Sequence, residues 1–547
     1  MKEGFRQSMA WLHTWTGLLV GWLLFFVFLT GTFGYVNAEV SHWMQPEEPM
    51  ITALPPAADL LTKAEARLIL QAADAESWSI ILPGGRGSQE LQIRWRERPS
   101  AGSARGETRS ETLDLMNGKP VEYEVRETGG GFTLYWMHFF LHYVPQDVGI
   151  QIVGACSMMM LVAILTGIVA HRRIFRDFFT FRPGKGQRSW LDAHNLLGVT
   201  SLPFFLMITW SGLIFYMFAY LPAGLNTLYP DRAAHEEFRE YGYGIPAAKR
   251  APVDHALEPP AISMSQQAPL APLAPMLADA EARWGAGKVG ALMIEHPGRV
   301  GARVSLQSRE TPTLGRQGRR DTPLLHFDGV TGGSIEAEPH REMWPGRFNA
   351  VMLGLHEASF AGPILRLLFV GAGLAGTAMI ATGLLLWSAK RRAKLARSGR
   401  PHAGLILVDT LNLGTIIGLP IGIAAYFWAN RLLPVGMEDR AAWEMHSIFM
   451  AWGCAFVFAL WRSKARAWPE LCWFAAGAWG LIPVLNALTT DRHLGASVRG
   501  GDWILAGFDL SAFVTGLFFV LLARKAASGT RVQAEGRVDR RSIEAVA

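Results

Sequence analysis

The chain is short of cysteine and short of charge, and each shortage narrows what it can be. Three cysteines, Cys156, Cys454 and Cys472, are spread over 547 residues, each inside an apolar run. There is no CxxCH for covalent haem and no cluster with iron–sulfur or zinc spacing. The long segments between apolar runs hold no cysteine, so no disulfide holds them. Charged residues make up only 18%. No soluble flavin or nicotinamide domain is visible. The one GxGxxG match, "GAGLAG" at 371–376, lies inside an apolar run with no strand before it. That context excludes a nucleotide loop and favours close helix packing through small residues.

What is abundant is apolar surface. Half the residues are apolar, with 20 Trp and 30 Phe. Eight long apolar runs, near 11–36, 147–170, 195–220, 363–387, 404–429, 444–461, 470–490 and 503–523, read as membrane helices. The first is too long for a signal-peptide core and has no small-residue cleavage site close behind it, so it reads as an uncleaved span. Basic residues gather in "HRRIFRDFFTFRPGKGQR" (171–188), "AKRRAKLARSGR" (389–400), "WRSKARAW" (461–468), the N-terminus and the tail after Arg524. All fall on one side if eight spans alternate from a cytoplasmic N-terminus. The expectation is a multi-pass protein of a bacterial inner membrane with both termini cytoplasmic. The net charge of +6 then follows from orientation in the lipid bilayer and calls for no nucleic-acid partner.

Two long segments face outward. Residues 37–134 contain a helical stretch, "LLTKAEARLILQAADAE", then strand-like "WSIIL", "ELQIRWRER" and "ETLDLMNGKPVEYE". Residues 221–355 open on a Pro/Ala-rich linker, expected to be extended, then run "MLADAEARWGAGKVGALMIEHP", "ARVSLQSRE" and "PLLHFDGVTGGSIEAE". Each reads as a small α+β module. The spans repeat as well: "WLHTWTGLLVG" matches "WLDAHNLLGVT", and "LTGIVAHRR" matches "ATGLLLWSAKRR". The unit is span–module–span, used twice. The expected divisions are therefore 1–36 (span 1), 37–134 (first module), 135–220 (spans 2 and 3), 221–355 (linker and second module), 356–400 (span 4), 401–525 (spans 5–8, without repeat partners) and 526–547 (tail).

Of fifteen histidines, six stand at span ends. His13, His171 and His194 lie at the cytoplasmic ends of spans 1, 2 and 3; His138, His142 and His356 lie at the outer ends of spans 2 and 4. In a four-helix bundle of alternating direction, His13 can face His194 near one surface and His142 can face His356 near the other. Imidazole suits iron, copper and zinc. Haem fits best. Large apolar residues (Trp11, Trp15, Phe139, Phe140) flank the sites, no Asp, Glu or Cys completes a protein-only shell, and helical bundles recurrently hold cofactors between facing helices. Without CxxCH the haem is b-type, and two are expected. His138, one turn from His142, is an alternative ligand or a ring stacked on the haem. His171 stands where span 4 has Trp387, outside the strict repeat. Arg172 and Arg173 are candidates to meet propionates, with the basic-loop rule a sufficient reason for them. His446, in "WEMHSIFMAWG", is a weaker cofactor candidate. Phe25, Phe26, Phe204 and Phe205 are candidates to bridge the gap between the two haems, with lipid-facing packing the preferred reading. Asp409, Asn412 and Asn486 read as helix-packing polar residues, and no catalytic side chain is singled out.

The stretches "LHTWTGLLVGW", "LTGIVAHRRIFRDFFTFRP", "SWLDAHNLLGV" and "GLHEASFAGPILR" resemble the PepSY-associated transmembrane helix family, which includes iron-regulated membrane proteins and haem-containing siderophore reductases. The resemblance covers about 1–395. It implies a four-helix haem-binding core with two PepSY-like periplasmic modules; with the eight apolar runs the expected fold is an α-helical membrane protein of about eight helices, in which spans 5–8 depart from the short four-helix members. It also implies two b-type haems, and reduction of a ferric siderophore or another periplasmic ferric chelate. By motif it carries His13, His142, His194 and His356 as haem-region histidines, with His171 nearby. The electron donor is expected to be a membrane quinol or a separate protein. Two other classes compete: an iron or chelate transporter, which would want polar residues mid-membrane, and a regulatory binding protein acting through the outer modules.

Overall fold

The computed structural model describes residues 3–48, 54–84, 86, 90–99, 106–121, 124–171, 181–220, 222–237, 266–309, 323–335, 344–395 and 403–544. The chain divides into two compact units. The first joins 1–48, 124–220 and 361–547; the second joins 49–123 and 221–360.

The first unit is helical. Among the described residues, seven helices are long and apolar enough to cross a membrane, and a bent pair supplies an eighth candidate. They are span 1 (Glu3–Gly34), span 2 (Gln146–Ala170), span 4 (Pro363–Leu395), span 5 (Ala403–Leu432), span 6 (Arg440–Trp461), span 7 (Lys464–Thr489) and span 8 (Trp503–Ser528). Span 3 is the bent pair, Gln187–Thr200 and Leu202–Phe215, turning through 67° at Ser201. Pro203 accounts for the bend: it lacks an N–H for the helical ladder and crowds the residue before it out of the α region.

Glycines set how closely spans 1 and 4 approach. A Cβ at Gly376 would sit 2.5 Å from the Phe28 ring and 3.0 Å from that of Phe205, and one at Gly373 would strike Thr32. The "GAGLAG" stretch is thus a packing surface inside span 4. Phe25, Phe26 and Phe205 are buried rather than lipid-facing. Phe26 stacks on Trp452 of span 6, with ring centroids 5.6 Å apart. The expectation failed because span 1 packs on more than the four-helix core: spans 5 and 6 cover its other side.

Polar side chains pin spans 5–8 in place. Asn412 accepts from Trp22 Nε1 at 2.9 Å and donates to Ser388 Oγ at 2.9 Å, tying spans 1, 4 and 5. Asp409 pairs with Arg392, and Asn486 joins Arg431 to Asp509. All three residues act as helix-packing polars. A denser network lies between the segments 42–48 and 124–130 and spans 5, 6 and 8. Arg440 and Glu444, both with fully buried side chains, pair with each other. Glu444 also accepts from Thr128 and Asn430. Arg431 lies 3.7 Å from the Trp43 ring, whose N–H donates to Asp509. Buried charges persist only when paired and hydrogen-bonded in this way.

The second unit carries one seven-stranded sheet, in the order β3-β2-β1-β4-β5-β6-β7 with every neighbouring pair antiparallel. The strands are β1 (Ser77–Ile81), β2 (Leu91–Arg96), β3 (Thr108–Leu113), β4 (Val289–Glu295), β5 (Arg303–Ser308), β6 (Leu324–Asp328) and β7 (Ser334–Ile335). Each of the two segments contributes a helix, Ala57–Ala72 or Leu273–Trp284, followed by its strands. The two strand sets meet where β1 pairs β4, Ile80 opposite Leu292. Alternation explains the geometry: Leu91, Ile93 and Trp95 turn one face of β2 inward, and Val304, Leu306 and Ser308 do so on β5. Both helices lay apolar faces on the same core, with Leu60, Leu61 and Leu68 from one and Met276, Leu277 and Ala280 from the other. Two separate modules would each leave a β edge unpaired; joined, they bury it.

Candidate cofactor site

His13 and His194 come together from spans 1 and 3, with ring centroids 6.1 Å apart and planes 65° from parallel. Each ring is held the same way. His13 Nδ1 donates to the Ala163 carbonyl of span 2 at 2.7 Å, and His194 Nδ1 donates to the Met379 carbonyl of span 4 at 2.9 Å. A carbonyl only accepts, so Nδ1 carries the proton in both rings and Nε2 keeps its lone pair. Each ring also lies on a glycine. A Cβ at Gly167 would sit 3.1 Å from His13, and one at Gly383 would sit 3.1 Å from His194. Those glycines stand four residues beyond the accepting carbonyls, in the repeated Thr-Gly pairs 166–167 and 382–383. Thr166 and Thr382 turn their hydroxyls back onto Ala163 O and Met379 O.

One turn past each glycine lies a ring nitrogen with no partner. His171 accepts from Asn195 Nδ2 at its Nε2, at 2.9 Å, while its Nδ1 is buried and unbonded. Trp387 Nε1 is likewise buried and unbonded. The Arg391 guanidinium lies 3.6 Å from the Trp387 ring centroid and 5.4 Å from that of Trp15. Arg172 and Arg173 lie outside the described residues. Trp11 and Trp15 expose much of their surface.

The far end is built differently. His138 closes the helix Gly130–Phe140 and lies on Gly31 of span 1, 3.4 Å from a Cβ placed there. Its Nδ1 donates to Tyr135 O, and Phe139 packs edge-on against it. Burial pushes its pKa down to about 4. His142 follows in an irregular turn where both neighbours, Leu141 and Tyr143, have positive φ. Such conformations are uncommon without glycine and are retained where the surroundings enforce them. His142 Nε2 is buried without a partner. Its ring lies 5.3 Å from Phe449 and 6.3 Å from His446, and Tyr143 shares a hydrogen bond with His446 Nδ1. Burial, then the nearby His446, lowers the His142 pKa. His356 belongs to the second unit, half-buried in the last turn of the helix Trp344–Glu357.

Among the described residues no three His, Cys, Asp or Glu side chains form a group able to hold a metal ion. What these histidines offer is paired imidazoles between helices.

The family profile described as PepSY-associated TM region matches residues 10–390. The chain belongs to this family. An uncharacterised protein of Pseudomonas aeruginosa, PA4219, is similar to it at 25% identity over 405 residues, covering 71% of this chain and 94% of the relative. In this PepSY-associated protein the matched region holds His13, His138, His142, His171, His194 and His356, whereas spans 5–8 and His446 lie beyond it. Sequence reasoning missed Gly167 and Gly383 as supports for the histidines, although the repeated Thr-Gly was visible. It also missed that His446 lies beside His142, which no local pattern could reveal because span 6 is about 300 residues away.

Proposed function

We propose that this protein is an inner-membrane reductase holding two b-type haems. It passes electrons across the membrane to a periplasmic ferric acceptor, a ferric siderophore or a similar oxygen chelate. The observation that carries this reading is the His13–His194 pair. Their ring centroids are 6.1 Å apart, close enough that both imidazoles would be able to hold one metal ion at ~2.0–2.1 Å. Both Nδ1 atoms are committed to carbonyls, the outer-shell arrangement that orients a ligating imidazole. The glycines beneath the rings remove the side chains that would tilt them.

When bound, haem supplies a one-electron iron centre, which an insulating bilayer otherwise lacks. The chain's own part is to hold two such centres. His13 and His194 present Nε2 at the end that carries the basic loops. At the other end His142 presents a buried, unpartnered Nε2. His138, kept neutral by burial, serves as a stacking ring or alternative ligand. Two sites are required because a span of about 25 residues is ~37 Å long, too far for one relay centre to cover. Reduction lowers the charge on the iron and weakens its hold on hard oxygen ligands. A membrane quinol or a separate donor protein feeds the inner site.

The test is optical and EPR spectroscopy of the purified protein with pyridine haemochrome quantification per chain. Two haems per chain with low-spin bis-imidazole signals, one of them lost in His13→Ala, are expected. Absence of any reducible haem would refute the reading. Stopped-flow oxidation of the reduced protein by ferric siderophores then tests the acceptor.

A further inference from the structure

The orphaned nitrogens of His171 and Trp387 stand at matching places in the internal repeat. Each is four residues beyond the glycine that supports a histidine of the inner pair, His171 beyond Gly167 and Trp387 beyond Gly383. Both are N–H donors. Trp Nε1 can only donate. His171 Nε2 accepts from Asn195, so in the neutral ring the proton sits on Nδ1, the buried atom without a partner. A buried donor left unpaired costs ~1–3 kcal/mol, and at membrane depth water is scarce as a substitute. Two such losses at repeat-related positions point to a bound acceptor.

We propose that His171 and Trp387 form a carboxylate-binding subsite, donating their ring N–H groups to the carboxylates of the group seated on His13 and His194. This rests on the haem reading, where those carboxylates are the propionates. It removes His171 from the set of iron ligands, because ligation through Nε2 would cost the Asn195 hydrogen bond and ligation through Nδ1 would require the other tautomer. The Arg391 guanidinium, lying on Trp387, supplies positive charge beside the second donor. The repeat thus keeps a donor at this position while changing its chemistry from imidazole to indole.

The experiment uses the full-length protein in detergent with His171→Phe and Trp387→Phe, which remove the N–H and keep a ring. Haem release is followed by transfer to apomyoglobin. Both variants should keep the low-spin bis-imidazole EPR signature and release the inner haem ~10–100-fold faster. Protein loaded with haem dimethyl ester, which has no free carboxylate, should release it at the same rate from wild type and variants. A merely structural role for the two rings would keep the difference with the ester, and that result overturns the proposal. So does a high-spin inner haem in His171→Phe, which would make His171 a ligand, or release from both variants at the wild-type rate. If wild type and His13→Ala both lack haem, the parent reading fails first and is recognised by that result. Trp387→Phe alone decides the matter if His171→Phe does not fold.

Discussion

Gly167→Ala and Gly383→Ala are small changes that should cost the cofactor far more than the fold. The new Cβ at Gly167 would lie 3.1 Å from both Cε1 and Nδ1 of His13; at Gly383 it would lie 3.1 Å from Cε1 and 3.3 Å from Nδ1 of His194. Ordinary contact needs a few tenths of an ångström more. The ring must retreat from its carbonyl or tilt, and either movement turns Nε2 off its line. Overpacking of this kind costs ~1–3 kcal/mol, and disturbing the support of a ligating imidazole costs ~10–100-fold in affinity, which is ~1.4–2.8 kcal/mol. Alanine meanwhile favours the helix over glycine by ~1 kcal/mol. Haem affinity is therefore expected to fall ~10–100-fold in each variant, while the helix gain offsets part of the overpacking and the melting temperature of the haem-free protein stays level or falls slightly. Gly17→Ala, on the same span as His13 and with nothing within 4 Å of the new Cβ, should leave affinity unchanged. Competition with apomyoglobin and scanning fluorimetry read the two quantities separately. Equal haem retention by all three variants would refute the idea that these glycines hold the histidines in line.

Glu444→Ala leaves Arg440 charged and buried, so it is expected to destabilise the first unit by ~3–5 kcal/mol. Replacing both residues with Met should recover much of the loss in a detergent melting experiment. At the far end, His142→Ala should remove one low-spin signal from the EPR spectrum, whereas His446→Ala should leave two; the reverse pattern would transfer the ligand's role to His446. His326, in β6, has its pKa lowered by burial and then by Arg303. A histidine depressed below its unfolded value of ~6.5 contributes stability that is present above that pH and lost as pH falls through the folded value. Acidification should therefore melt the second unit earlier, and His326→Gln should flatten that slope.

Much of the site was legible because it was written twice. The His–Gly spacing of spans 1 and 3 and the Thr-Gly pairs of spans 2 and 4 are local patterns that survive without coordinates. His13 and His194 were paired from span direction alone, and the structure brings their rings together. The strands were legible from alternation, as in "ELQIRWRER". Their union into one sheet was not, since β1 and β4 are some 210 residues apart and nothing in either strand names its neighbour. Phe25 and Phe26 looked lipid-facing because an apolar residue satisfies lipid and protein equally well. Only the partner on the other side, here Trp452 and its neighbours, distinguishes the two.

Sequence alone determined which segments are apolar enough to enter a bilayer, where the basic loops fall, and which histidines stand at span ends, because hydropathy and charge are properties of residues in order. Tertiary structure decided which carbonyl each imidazole uses, which nitrogen remains free and which glycine lies beneath the ring. Those are distances between helices, set by packing across the bundle, and no window of sequence contains both sides of such a contact.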